Sequence, residues 1–222
     1  MSAQLWSNVD DWFSDTLLDA DPALTATLAA SAAAGLPAIH VAPNQGKLLH
    51  LFARMIGAKR VLEVGTLGGY STIWLARALP ADGQVVTLEA DPKHAAVARA
   101  NFAAAGLAER IEVIEGPALQ SLPKLAASAP RSFDLVFIDA DKPSNPDYFA
   151  WALELTHRGS VILVDNVVRD GAVIDAASTD PSVQGVRRLM ARVAAEPRVS
   201  ATALQTVGAK GYDGFLLATV IA

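Results

Sequence analysis

The 222-residue chain is 52% hydrophobic and 18% charged, a balance that argues against disorder and suits one compact domain over residues 1–222. Its formal net charge of −5 works against nucleic acid, whose phosphates are met by Lys and Arg, and favours a small-molecule substrate. With no cysteine, thiolate metal sites, disulfides and thiol nucleophiles are excluded, and any chemistry falls to oxygen and nitrogen groups.

The opening "MSAQLWSNVDDWF" has neither the basic start nor the apolar stretch of a signal peptide, and no apolar run is long enough for a membrane span. A cytoplasmic protein is the expectation. A helix over Val9–Leu18 carries Trp12 and Phe13, and a second over Leu24–Gly35 follows the N-cap and N1 pair Asp21-Pro22 and stops at its glycine. These helices form a cap over residues 1–40 and, with Trp6, an apolar surface that either pairs a homodimer or covers its own domain. An amphipathic helix over Gly46–Ile56 opens the core, residues 41–222. Strands at Arg60–Val64, Gln84–Glu89, Ile111–Glu115, Asp134–Asp139 and Ser160–Asp165 then alternate with helices at Tyr70–Leu79, Pro92–Ala105, Ala118–Ala127 and Pro146–Leu155. Runs such as "LVFI" and "VILV" suit parallel strands buried on both faces. After a helix at Ser182–Ala195, the last residues give two strand patterns with a Gly-rich connection, an antiparallel hairpin. The fold class is α/β: a doubly wound, mostly parallel seven-stranded sheet with an antiparallel C-terminal hairpin and extra N-terminal helices.

Ligands in such a sheet bind beyond the carboxyl ends of the strands, near the point where strand order reverses. There the stretch "RVLEVGTLGGYS" turns from strand to helix through Gly65, Gly68 and Gly69, which either admit a ligand to the backbone or serve tight packing. It matches neither G-x-G-x-x-G nor a P-loop, so pyrophosphate is not the first expectation and a nicotinamide-dependent oxidoreductase is weakened. Glu89, 26 residues after Glu63, stands where an acid accepts from ribose hydroxyls, while Asp91 before Pro92 serves the next helix as its cap. Asp139, Asp165 and Asn166 are oxygen donors at neighbouring strand ends: either an incomplete set suited to Mg2+ or ordinary turn formers. Lys142 in "IDADKP" is a general base beside that set or a solvated loop lysine. His40, His50, His94 and His157 show no ligand spacing, and no serine lies in a nucleophile elbow, so a hydrolase triad is not expected and the histidines read as surface or packing.

Taken together, "VLEVGTLGGYSTIWLA", "TLEADPKHAAVARANFAAAG", "EGPAL", "FIDADK" and "ILVDNVV" resemble the cation-dependent O-methyltransferases related to caffeoyl-CoA and catechol O-methyltransferases, from about Val41 to the C-terminus. The resemblance implies a Rossmann-like methyltransferase fold and S-adenosylmethionine as cofactor, with its methionine part in the glycine turn. By the same likeness Val41, Glu63, Gly65, Ser71, Glu89, Ala118, Asp139 and Asp141 fall at cofactor positions, Asp139, Asp165 and Asn166 at the ligands of Mg2+ or another divalent cation, and Lys142 at the base. The implied acceptor is a vicinal-diol phenolic small molecule. A modified tRNA uridine is the alternative within the family, which the acidic balance disfavours, and CoA thioesters are in doubt because the chain lacks the plant enzymes' recognition insertion.

Overall fold

In the computed structural model, which describes residues 3–222, the chain winds helices onto both faces of one sheet. The opening helices are α1 (Ala3–Leu17), α2 (Pro22–Ala33) and α3 (Pro43–Met55). Then follow β1 (Arg60–Val64), α4 (Tyr70–Ala78), β2 (Gln84–Glu89), α5 (Pro92–Ala104), β3 (Ile111–Glu115) and α6 (Ala118–Ser128). The second half holds β4 (Phe133–Ile138), α7 (Asn145–Leu155), β5 (Thr156–Asp165), α8 (Pro181–Ala195), β6 (Val199–Gly208) and β7 (Gly211–Val220). The strand order is β3-β2-β1-β4-β5-β7-β6, parallel except for β7, which runs against both β5 and β6. Order therefore reverses between β1 and β4, and the crevice for a ligand opens there.

Side chains alternate across the sheet. Leu62 and Val64 enter one core, with Phe149 and Leu189, while Val61 enters the other, with Ile73 and Phe102. Glu63 shares the Val61 face, so strand periodicity alone drives its carboxylate into the α4 side of the core. The caps behave as their sequences dictate: Asp21 and Asp91 each accept from two backbone N–H groups at the start of a helix with proline in its first turn.

The boundaries shift in instructive places. Helix α1 begins at Ala3 rather than Val9, and none of its residues is buried. Helix α3 begins at Pro43, three residues before Gly46, because proline fits the first turn where its missing N–H costs nothing. Asp139 lies just past β4, in the following turn, and its N–H still bonds to Val64 O at 2.8 Å. Strand β5 starts at Thr156, where an irregular pairing with β4 near Phe133 extends it. Among the described residues, no helix is long and apolar enough to cross a membrane.

Candidate active site

The glycine turn answers to packing before it answers to a ligand. Gly65 has φ +100°, and a Cβ there would collide with the backbone carbonyl of Asp139, so this glycine lets β1 and β4 converge at their ends. Gly69, at φ +84°, lies against the ring of Phe102. Gly65, Thr66 and Leu67 also line a cavity of about 760 Å³.

Two acids organise the β1–β2 side. Glu63 is fully buried and accepts from the hydroxyls of Ser71 (2.6 Å), Thr72 and Thr87 (2.7 Å). Burial pushes its carboxyl up to about 7 against the pull of those three donors, and the charge of Asp139 adds to the rise. Glu89 is buried too: one oxygen accepts from Thr66 N (3.1 Å) and Leu67 N (2.8 Å), the other from Asp91 N (2.9 Å). It thus braces the turn, a role its sequence position does not reveal, and it keeps acceptor capacity for a hydroxyl ligand.

On the β4–β5 side the charges are less well matched. Lys142 Nζ, buried with its side chain, lies 2.9 Å from Asp139 Oδ1. Asp165 accepts from Gln45 Nε2 (2.7 Å) and from Asn166 N (2.8 Å). Burial first, and then the charge of Asp139, raise its carboxyl well above the usual range, with Lys142 opposing. Asp139, Asp165 and Asn166 offer oxygen donors only, and their two carboxylates repel across a rim where Lys142 is the compensating charge. That donor chemistry fits a hard divalent cation. Among the described residues no group of three or more His, Cys, Asp or Glu could hold a metal, consistent with a set whose third member is an amide.

The remaining predicted positions gather around the same cavity. Val41 and Ala118 line it, and so does Asp141, whose carboxylate caps the turn at Ser144 N (3.2 Å) and accepts from Tyr148 OH. That burial and the Asp141 charge hold the Tyr148 phenol well above its ordinary pKa. Asn166 borders this cavity and a second one of about 370 Å³, which Gln45, Asp165, Asp10, Asn44 and Lys210 also line. The reading of the histidines needs correction at two positions: His40 and His94 line the main cavity, with His94 Nδ1 3.7 Å from Glu89. Burial lowers the His40 pKa, and the nearby Lys210 charge lowers it further. His157, by contrast, pairs with Asp134 at 3.1 Å, and His50 meets Trp74 O at 3.2 Å, both in packing roles.

A model of the O-methyltransferase family matches residues 17–220. The chain belongs to that family. It is an S-adenosylmethionine-dependent methyltransferase, and the nicotinamide alternative falls with this finding. The enzyme is 52% identical over 220 residues to a catechol O-methyltransferase of Niastella koreensis, covering 99% of this chain and 100% of the relative. An O-methyltransferase from Bacillus cereus, solved in complex with SAH, matches at TM-score 0.97 and 56% identity over 99% of this chain and 100% of that one. TomG from Streptomyces achromogenes, solved with SAM, matches at TM-score 0.96 and 49% identity over the whole of both chains.

Proposed function

We propose that the enzyme methylates one hydroxyl of a catechol-type phenolic small molecule, with Asp139, Asp165 and Asn166 holding Mg2+ or another divalent cation and Lys142 acting as the base. The observation that carries this reading is the ion pair of Lys142 with Asp139 on the wall of the main cavity, with Asn166 bordering both that cavity and the second one. The name of the Niastella koreensis relative supports the acceptor class.

S-adenosylmethionine supplies a methyl on positively charged sulfur, and a divalent cation supplies Lewis acidity that favours the phenolate. The chain itself binds, orients and takes the proton. Glu89 holds the ribose hydroxyls with its free acceptor capacity, and the Gly65–Leu67 backbone with Glu63 and Ser71 holds the methionine part. Val41, Ala118 and Asp141 complete the walls. Lys142 acts as the base only as the neutral amine: its own ammonium proton passes to solvent first, and Nζ, released from Asp139, then takes the hydroxyl proton of the acceptor. No covalent enzyme intermediate is needed, since fixing the acceptor oxygen behind the methyl is the main requirement.

The test is methyl transfer from labelled S-adenosylmethionine to catechol acids, flavonoids, CoA esters and hydroxylated tRNA, with and without Mg2+. Labelling confined to catechols and dependent on the cation is expected; equal turnover in a chelator, or labelling of tRNA alone, would reject the reading.

The same proposal places residues 1–222 in one cytoplasmic domain that pairs as a homodimer. Supporting the pairing, α1 exposes Leu5, Val9, Trp12, Phe13 and Leu17, and the adjoining edge strand β6 exposes Leu204 and Val207. Light scattering at micromolar concentration should give twice the 23.2 kDa chain mass; a monomer mass would reject the dimer.

A further inference from the structure

The loop that leaves β5 carries a cluster of left-handed backbone conformations. Asn166, Arg169 and Asp170 sit in the left-handed region at φ 58°, 56° and 54°, and Gly171 follows at 85°. Asn and Asp tolerate that conformation better than other side chains, so Arg169 is the strained residue, and its conformation persists where surrounding contacts over-determine it. The contacts come from two neighbouring residues of β7. Gly214 O accepts from Val167 N at 3.0 Å, and Asp213 Oδ1 accepts from Val168 N (2.9 Å) and Arg169 N (3.1 Å). The other Asp213 oxygen lies 3.7 Å from Arg169 Nη1. Three successive amides directly after Asn166 are therefore held by one strand that brings no residue of its own to the predicted metal set. Arg169, fixed by the same carboxylate, lines the main cavity, and Asp213 lines the second.

The geometry points to Asp213 as a positioning residue: by clamping the loop after β5 it holds Asn166 in line with Asp139 and Asp165 and sets Arg169 in the cavity wall. This rests on the metal reading given above. The clamp depends on where the oxygen sits, because one atom must reach two adjacent N–H groups. Charge alone does not reproduce it.

A matched control exists at the opposite end of the sheet. Asp134 Oδ2 accepts from Lys59 N and Arg60 N, both at 2.8 Å, a like clamp far from the cavity. Purified full-length enzyme and its variants would be titrated with Mg2+ by calorimetry, and amide exchange would be followed at Val168 and Arg169. Asp213→Ala should weaken Mg2+ binding about tenfold to a hundredfold, the usual cost of losing a residue that orients a ligand, and speed exchange at both amides. Asp213→Glu keeps the charge but misplaces the oxygen, so it should lose affinity similarly, and it carries the test if the alanine variant fails to fold. Asp213→Asn keeps an oxygen in place and should retain most of the affinity. S-adenosylmethionine affinity should fall less than Mg2+ affinity, since Glu89 and the glycine turn are untouched and only Arg169 of the main cavity wall is released, and Asp134→Ala should leave Mg2+ binding unchanged. Unaltered Mg2+ affinity in folded Asp213→Ala or Asp213→Glu, or an equal loss in Asp134→Ala, would overturn the positioning role while leaving the metal reading intact. Wild-type enzyme that binds no Mg2+ would overturn both.

Discussion

The two halves of the rim treat their carboxylates differently. On the β1–β2 side, Glu63 meets three hydroxyls and Glu89 three backbone amides, so their oxygens are held by neutral donors from the chain. On the β4–β5 side, Asp139 and Asp165 face each other with one amide donor from Gln45, one from Asn166 and the ammonium of Lys142. Neutral donors build a rigid cradle for a neutral sugar and a turn, while an acidic rim suits a cation and proton transfer. In the proposed function, the sugar falls to the first side and the cation and proton transfer to the second, on either side of the topological switch between β1 and β4.

If that division is right, the largest effects lie on the acidic side. Asp165→Ala should reduce methyl transfer to background and remove the response to added Mg2+, as a chelator should in the wild-type enzyme; a variant still stimulated by Mg2+ would break the assignment. Lys142→Ala should lower kcat by about a hundredfold to ten-thousandfold, with partial recovery as pH rises above the acceptor's own pKa. Recovery of Asp165→Ala to the same extent, or a change confined to KM for Lys142→Ala, would mean that Lys142 is not the base.

On the cradle side the effects are smaller and differ in kind. A carboxyl whose pKa is higher in the fold than in the unfolded chain keeps a proton that the unfolded chain has released, so stability falls as pH rises between the two values. For Glu63 that window runs from about 4.5 to about 7. Glu63→Gln should therefore gain on wild type across the window, by on the order of 3 kcal/mol at about 1.4 kcal/mol per pH unit. Urea midpoints at pH 5 and 8 measure this, and a constant difference would show that Glu63 does not titrate there. Glu89→Ala should weaken S-adenosylmethionine binding about tenfold to a hundredfold, as loss of charge-assisted hydrogen bonds does, while kcat at saturation changes little. Calorimetry reads the first and steady-state kinetics the second; unchanged affinity would remove the ribose assignment.

Much of this architecture can be read along the chain, because its signals are short-range. Strand period places Glu63, Glu89 and Asp165 at the ends of their strands, and the Asp-Pro pairs at 21–22 and 91–92 announce helices through contacts two or three residues away. The five parallel strands follow from apolar runs that only a sheet covered on both faces can bury. Spacing likewise brings Lys142 near Asp139 within a single turn of chain.

The tertiary structure decided what each group is bonded to. Gln45 reaches Asp165 across 120 residues of sequence, and Asp213 reaches Val168 across 45, pairings that exist because strand crossovers bring distant segments to one rim. Glu89 reads as a ribose acid in sequence, and the structure shows it bracing Thr66 and Leu67; Gly65 reads as a ligand turn, and the structure shows it admitting the Asp139 carbonyl. His40 and His94 carry no ligand spacing, yet they line the cavity, since chain spacing says nothing about which loops converge in space. Local preference determined the elements and their order, whereas hydrogen bonds and charges, which act over a few ångströms of space and not along the chain, determined the site.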